Sequence, residues 1–311
     1  MRAFVFPGQG SQKVGMGIEL ADASPAAREV FEEVDDALGQ KLFQIMREGP
    51  DDVLTLTENA QPAIMAHAIA VLRVLEKEGG IDLADKADYI AGHSLGEYTA
   101  LCAAGAFSLA DTARLLKLRG TAMQAAVPVG IGAMAALLGA DIDKAQALAD
   151  AAAEGEVCTV ANDNDPGQVV LSGHKGAIDR AIALVKEHGI KRGMALPVSA
   201  PFHCPLMQPA ADAMAQALAK TPPGPLRVPL FANVTAGLVT EPAEVQRLLV
   251  EQVCGRVRWR ESAIAMKAAG VESFVEVGGK VVGPMIARSA GEVSVTSVVT
   301  MADIEALLAG L

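Results

Sequence analysis

A serine between two glycines, in the stretch Gly92–Gly96 (GHSLG), has the residue types and spacing of a nucleophile. The pattern G-x-S-x-G turns a strand sharply into a helix, which exposes the serine hydroxyl at a helix N-terminus that favours developing negative charge. The backbone N–H of Leu95 is then directed at that charge. A purely structural serine is the alternative, because Ser94 and Glu97 also have the spacing of a helix capping box.

A nucleophilic serine needs a base, and the chain has five histidines. His203 is the best candidate, since it lies in a proline-flanked loop, where functional residues concentrate. An ordinary α/β-hydrolase carries an acid between serine and histidine, and its histidine lies near the C-terminus. Here about a hundred residues follow His203 and no acid stands out, which disfavours a plain esterase. The other histidines, for which structural roles are predicted, are His67, His93, His174 and His188.

A second loop with the composition of a binding site follows the first predicted strand, in the sequence FPGQGSQ. Gly8 and Gly10 flank Gln9, and glycine-rich turns let backbone N–H groups approach an anion closely. We therefore expect the N–H of Gln9 to be the second donor of an oxyanion hole, beside that of Leu95. An ordinary tight turn is the alternative. Neither this loop nor GGKVVG, at 278–283, matches a phosphate-binding P-loop.

The overall composition limits the class of protein. The 311 residues are 51% apolar and 20% charged, which predicts a globular chain and excludes a disordered one. The net charge of −11 disfavours a nucleic-acid partner, because phosphate binders usually carry a basic excess. The four cysteines form no CxxC pair, so we expect neither zinc nor disulfides, and their scatter suits a reducing cytoplasm. No secretory leader and no membrane span is expected.

Strand and helix patterns alternate along most of the chain, and this alternation predicts an α/β fold. Between residues 128 and 198 the order becomes β-α-β-β-α-β, which is the ferredoxin-like pattern. We therefore predict an α/β-hydrolase-like catalytic domain, formed by residues 1–127 and 199–311. A ferredoxin-like small domain of residues 128–198 is inserted into it.

A set of short motifs in the sequence resembles the set found in the malonyl-CoA:acyl carrier protein transacylases. The acyltransferase domains of polyketide and fatty-acid synthases share the same motifs. The motifs occur in the family's order and at about its spacing, which makes the set far more specific than any single motif. They are FVFPGQGSQ, NAQPAI, AGHSLGEY, RG at 119–120, GAMAALLG, NDPGQVVLSGH, VSAPFH and VEVG.

The resemblance implies a ping-pong transfer of a malonyl group from malonyl-CoA to the phosphopantetheine thiol of acyl carrier protein, through an ester of Ser94. It implies that His203 is the base and that Arg119 pairs with the free malonyl carboxylate, which suits a guanidinium fork. From the pattern alone, Arg119 is a solvated charge near a helix end. The main-chain carbonyl of Gln252 is implied to orient the histidine. The further residues implied to line the site are Gln61, Asn162 and Phe202, the last leaving little room for a 2-methyl branch.

The same resemblance implies no cofactor and no metal. It implies malonyl-CoA and an acyl carrier protein as partners, and we expect a cytoplasmic monomer without a nucleic-acid or membrane partner. Because carrier proteins are expected to be acidic, the mouth of the site is predicted to be basic. The candidates for this basic mouth are Lys191, Arg192, Arg256, Lys280 and Arg288.

Three departures from the family pattern leave the predicted catalytic groups in place. The stretch VGGKVVG is one residue shorter than the family's common VGPGK region, Gly255-Arg256 replaces the usual Asn-Pro, and Cys204 replaces a common serine. Three alternatives stay open. They are a related acyltransferase (a discrete polyketide acyltransferase or a malonate-decarboxylase transacylase), a serine hydrolase that releases malonate to water, and a non-catalytic scaffold that binds carrier protein.

Overall fold

The computed structural model of the protein describes residues 1–198 and 200–311. Its strands are β1 Arg2–Phe6, β2 Tyr89–Gly92, β3 Gly132–Leu138, β4 Cys158–Asp165, β5 Gln168–His174, β6 Arg192–Ala195, β7 Leu230–Phe231, β8 Leu238–Val239, β9 Ser273–Val277 and β10 Ser294–Val298. Its helices are α1 Ile18–Ala23, α2 Pro25–Leu38, α3 Leu42–Glu48, α4 Asp51–Thr55, α5 Thr57–Lys77, α6 Leu83–Lys86, α7 Leu95–Ala103, α8 Leu109–Ala125, α9 Ile142–Ala153, α10 Lys175–Leu184, α11 Gln208–Lys220, α12 Pro242–Cys254, α13 Trp259–Ala268, α14 Val282–Ala290 and α15 Met301–Gly310, with a 3-10 turn at Pro205–Met207. Within these two ranges, no helix has the length and apolar character that crossing a membrane requires.

The larger sheet has the strand order β10-β9-β1-β2-β7-β8, and its neighbours are parallel except for β7 and β8. β1 is buried along almost its whole length, as its unbroken apolar sequence requires when both faces of a sheet are covered. Phe6 at the end of β1 pairs with Gly92 at the end of β2. The loops that follow these two strands therefore leave the same edge of the sheet side by side, and they carry Gln9 and Ser94.

The smaller sheet is antiparallel, with the order β4-β5-β3-β6. Strands β5 and β3 lie in the middle of this sheet. Helices α9 and α10 pack against it over a separate apolar core that includes Leu137, Leu171 and Ile178. This is the β-α-β-β-α-β unit that the sequence predicts, inserted in a larger α/β unit, so the predicted fold class is confirmed. The domain boundaries at 128 and 198 stay a prediction.

Strand β4 ties the smaller sheet to the larger unit close to the site. The backbone N–H of Asp163 donates to Val257 O at 2.9 Å, in the segment that leads into α13. The buried Asp163 carboxylate also pairs with Arg260 of α13 at 2.8 Å. These bonds fix the position of Asn162, the preceding residue, relative to the larger sheet.

Most predicted elements occur, with differences at their ends. Ser24 caps α2, Pro25 is its first residue, and Gly39 ends it in the left-handed conformation at φ 57°, as predicted. The strand predicted over VPLFANV is reduced to the two residues of β7, because the chain turns at once into the short antiparallel strand β8. The sequence patterns missed α15, whose residues are apolar nearly all round and give a weak amphipathic signal.

Candidate active site

The serine turn has the strained geometry that its glycines permit. Ser94 lies between β2 and α7 with φ 54° and ψ −112°, a region that side-chain-bearing residues rarely adopt. A Cβ at Gly92 would lie 1.9 Å from Gly96 O, and one at Gly96 would lie 2.4 Å from Phe6 O. Both positions therefore accept only glycine. The Ser94 side chain makes no capping hydrogen bond to α7, so the alternative of a capping serine is wrong.

The hydroxyl of Ser94 instead contacts His203. The distance from Ser94 Oγ to His203 Nε2 is 2.7 Å, across 109 residues of sequence. His203 Nδ1 lies 2.8 Å from the main-chain carbonyl of Gln252. Because a carbonyl only accepts, Nδ1 carries the proton, and Nε2 is left as the acceptor for the Ser94 O–H. Burial, together with the nearby Arg119 cation, lowers the pKa of His203 to about 3, so the ring is neutral at pH 7.

Arg119 is a buried cation beside this pair, and not the solvated helix-end charge that the pattern alone indicates. It is 1% exposed. Its Nη1 donates to Gln61 Oε1 and its Nη2 to Gln252 Oε1, both at 2.8 Å, and Nη2 also lies 3.2 Å from Ser94 Oγ. Its Nε has no hydrogen-bond partner within the described residues. Both N–H groups of Nη2 therefore have an acceptor in the free protein, whereas the buried Nε–H has none in the described part of the chain.

A cleft of about 260 Å³ opens onto these groups. The predicted site residues that line it are Gln9, Gln61, Ser94, Leu95, Arg119, Asn162, Phe202 and His203. Gln252 lies behind the cleft, bonded to His203 and Arg119. Asn162 comes from an irregular part of β4, and its Oδ1 is buried without a partner among the described residues. The structure thus brings the predicted residues of both units together around one serine.

The described part of the chain holds no cluster of three or more metal-binding side chains. Of the other histidines, His93 also lines the cleft, but its Nε2 is bonded to Asn164 Oδ1 at 2.8 Å. His67 is buried in α5 with Nδ1 3.2 Å from Gly278 O. Burial lowers the pKa of His67 to about 4, so it is a neutral core histidine.

Sequence reasoning missed Asn233, which holds the strained turn. Its Oδ1 accepts from the Ser94 N–H at 2.8 Å, and its Nδ2 donates to Gly92 O at 2.7 Å. Gln252 Nε2 donates to Ser94 O at 2.9 Å from the other side. The available signal was a polar residue directly after a short apolar strand, at the edge of the sheet where Ser94 also lies.

Comparisons with known proteins identify the family of the chain. The chain matches the family described as acyl transferase domain over residues 3–302. A malonyl CoA-acyl carrier protein transacylase of Bacillus subtilis (strain 168) is 45% identical over 288 residues, 92% of this chain and 89% of that protein.

Solved structures match over nearly the whole length. An acyl-carrier-protein-S-malonyltransferase from Bartonella henselae is 51% identical with a TM-score of 0.97, covering 99% of this chain and 98% of that one. A malonyl-transacylase solved in complex with its type II polyketide synthase acyl-carrier protein is 37% identical with a TM-score of 0.95, covering 100% of this chain and 99% of that one. The chain therefore belongs to the acyl transferase family, and within it to the malonyl-CoA:acyl carrier protein transacylases.

Proposed function

We propose that this protein transfers the malonyl group of malonyl-CoA to the phosphopantetheine thiol of an acyl carrier protein, through a malonyl ester of Ser94. The observation that carries the proposal is the 2.7 Å contact between Ser94 Oγ and the neutral His203 Nε2, with the Arg119 cation 3.2 Å from the same oxygen. A nucleophile with its base performs acyl transfer, and a buried cation beside it selects an acyl group that carries its own carboxylate. The activities named for the relatives support the same substrate.

In the first half-reaction, His203 Nε2 takes the Ser94 proton while Oγ attacks the thioester carbonyl. The negative charge on the carbonyl oxygen is stabilised by the backbone N–H groups of Gln9 and Leu95. Leu95 is the first residue of α7, where backbone N–H groups lack intrahelical acceptors. The C–S bond then breaks, His203 returns its proton to the departing CoA sulfur, and the malonyl ester of Ser94 remains.

The second half-reaction repeats these steps with the carrier thiol as the nucleophile. His203 takes the thiol proton, the sulfur attacks the ester carbonyl, and the C–O bond to Ser94 breaks. The proton returns to Ser94 Oγ. Both steps are acyl transfers in which Ser94 or the carrier thiol is the nucleophile and His203 moves the proton, so the proposed mechanism contains no cofactor and no metal.

The substrate carboxylate is proposed to bind the Nε and Nη2 edge of Arg119, where Nε has no partner within the described ranges and Nη2 exchanges its 3.2 Å contact with Ser94 Oγ for a carboxylate oxygen. Gln61 holds the opposite nitrogen of the guanidinium and so fixes the direction of this edge. Phe202 lines the cleft and is proposed to exclude a 2-methyl branch on the acyl group. Asn162, with its unpartnered Oδ1, is proposed to receive a donor from the substrate arm.

An acidic carrier protein is the proposed macromolecular partner, and ion pairs within the chain distinguish the basic residues predicted to dock it. Lys280 lies 3.7 Å from Asp303 and Arg288 lies 2.7 Å from Asp165, so acidic groups of the chain itself partly neutralise both. The exposed candidates on and beside β6 are Lys191 and Arg192. We propose that these two contribute most to docking, that the enzyme acts as a monomer, and that residues 128–198 form its small domain.

Intact-protein mass spectrometry tests the proposal. We expect malonyl-CoA to add one malonyl group to the wild-type protein, acetyl-CoA and methylmalonyl-CoA to add far less, and Ser94→Ala to remain unmodified. Addition of carrier protein bearing the phosphopantetheine thiol then discharges the ester onto the carrier. Absence of the adduct, or hydrolysis to free malonate as fast as transfer to the carrier thiol, overturns the proposal.

A further inference from the structure

A buried carboxylate lies directly behind the serine turn, and the transfer steps above do not use it. Glu97, in the first turn of α7, is 1% exposed. Its Oε2 accepts a hydrogen bond from Gln252 Nε2 at 2.8 Å and one from the backbone N–H of Asn233 at 3.2 Å. Burying a carboxylate is costly unless hydrogen bonds compensate it, and both of these bonds come from residues that contact the Ser94 backbone.

The side chain of Gln252 lies between this carboxylate and the Arg119 guanidinium. A guanidinium only donates hydrogen bonds and an ionised carboxylate only accepts them. The carboxamide must therefore turn its Oε1 to Arg119 and its Nε2 to Glu97, and both distances are 2.8 Å. In that orientation the same Nε2 also donates to Ser94 O at 2.9 Å.

We propose that Glu97 is a positioning residue for malonyl transfer, which fixes the direction of the Gln252 carboxamide and through it the Arg119 guanidinium and the Ser94 backbone. The inference rests on the proposed function and adds a residue that touches neither substrate. It separates two roles of Gln252. The main-chain carbonyl orients His203, whereas the side chain orients the group that selects the acyl chain.

The positioning role depends on an acceptor atom at Glu97 Oε2 and not on a full negative charge. Burial raises the pKa of Glu97 to about 7, against the opposing effect of Arg119 on α8 and the bonds from Gln252 and Asn233. The adjacent Tyr98 is a further titratable group, whose pKa is raised by burial and also by Glu97. A protonated carboxyl keeps one acceptor oxygen, so both N–H groups retain their partner in either state. Glu97→Gln is therefore the conservative replacement, and Glu97→Met removes the acceptor while keeping the length of the side chain.

The measurement is the ratio of kcat/KM for malonyl-CoA to that for acetyl-CoA in the loading of Ser94. We expect Glu97→Met to lower this ratio about tenfold or more, as a buried donor left unpaired disturbs the Arg119 anchor. Glu97→Gln is expected to keep the ratio within about threefold of wild type. A loss of folded protein reduces both activities equally and leaves the ratio unchanged, so the ratio separates positioning from stability.

A double-mutant cycle tests whether Glu97 acts through Gln252. Gln252→Met keeps the main-chain carbonyl that holds His203 and removes only the carboxamide. We expect the double variant Glu97→Met, Gln252→Met to have the ratio of the Gln252→Met single variant, because residues that act as one unit are not additive. If the loss of the ratio in the double variant equals the product of the losses in the two single variants, the inference is wrong. If Glu97→Met does not fold, Glu97→Asp, which withdraws the carboxylate by one methylene, takes its place in the cycle.

Glu276 supplies the matched control. It is also fully buried, and its carboxylate accepts the backbone N–H groups at the start of α14. Glu276→Gln is expected to lower the melting temperature and leave the ratio unchanged. If wild-type protein forms no malonyl ester, the proposed function and this inference both fail. If wild type loads malonyl and Glu97→Met keeps the wild-type ratio, only the inference about Glu97 fails.

Discussion

Replacement of Arg119 by methionine should remove malonyl selectivity while leaving the serine chemistry in place. The guanidinium is 1% exposed, and its Nη1 and Nη2 are held by Gln61 and Gln252. The Nε donor has no partner within the described chain, and Nη2 lies 3.2 Å from Ser94 Oγ. In the proposed mode of binding, the malonyl carboxylate lies side-on to these two nitrogens while its thioester carbonyl is at Ser94.

The expected loss follows from the two hydrogen bonds that this edge offers. A hydrogen bond to a charged group contributes about 1.5–3 kcal/mol, so two contribute about 3–6 kcal/mol. At about 1.4 kcal/mol for each factor of ten, kcat/KM for malonyl-CoA should fall by about 10²–10⁴. The acetyl group of acetyl-CoA has no carboxylate, so its loading does not depend on these bonds. Its kcat/KM should change by less than about tenfold, through the unpaired oxygens of Gln61 and Gln252 alone.

The assay is rapid quench of the loading reaction, read by intact mass, with each acyl-CoA separately. Arg119→Lys serves as the matched variant, since it keeps the charge and loses the planar fork, and it should retain an intermediate preference for malonyl. Thermal melting shows whether either variant has lost folded protein. Equal losses for malonyl-CoA and acetyl-CoA in Arg119→Met would refute the assignment of Arg119 to the substrate carboxylate.

Three further perturbations test other parts of the structure. Phe202→Ala should raise the methylmalonyl:malonyl loading ratio about tenfold, within the range for one methyl group, and an unchanged ratio contradicts its steric role. The pKa of His67 is lowered to about 4 in the fold, so below pH 6.5 the unfolded chain binds a proton at this residue more readily than the folded chain. The free energy of unfolding therefore falls as the pH falls. From pH 7.5 to 5.5, the free energy of unfolding of the wild type, measured with denaturant, should therefore fall by about 1.4 kcal/mol more than that of His67→Gln. Equal decreases in the two proteins would count against a buried neutral ring. The double variant Lys191→Glu, Arg192→Glu should slow transfer to the carrier protein and reduce the salt dependence of that rate, while leaving loading from malonyl-CoA unchanged. If the transfer rates of wild type and double variant depend equally on salt concentration, these residues do not dock the carrier.

The serine turn was predictable because its constraint is local. Gly92 and Gly96 are required by contacts within five residues and with the neighbouring strand, and the pattern G-x-S-x-G records that requirement directly. The pairing of Phe6 with Gly92, which brings the Gln9 loop to the same edge, follows from two apolar strands that each end in a glycine-containing loop. Both features depend on short-range sterics and on the geometry of parallel strands.

Arg119 and Asn233 show what residue patterns alone do not contain. The partners of Arg119 are 58 and 133 residues away, and its surroundings in the sequence are those of an ordinary exposed helix. Only the resemblance to a family pointed to its role. Asn233 holds a turn that lies 139 residues earlier, and no motif marked it. Long-range polar contacts of this kind arise from the packing of separate elements, so they become visible only once the chain is folded.

The absence of a carboxylate partner for His203 within the described residues follows from the presence of Arg119. Arg119 acts electrostatically on His203, so a carboxylate beside that ring would also be attracted to the guanidinium and would compete with the proposed substrate carboxylate. A main-chain carbonyl orients the ring equally well and leaves that charge free. The buried carboxylate of the site, Glu97, is kept one carboxamide away from Arg119 by Gln252, which relays hydrogen bonds without neutralising the cation. Burial is the main cause of the lowered pKa of His203 and the Arg119 cation adds to it, so the arginine that is proposed to select an acidic acyl group also helps to keep the base neutral.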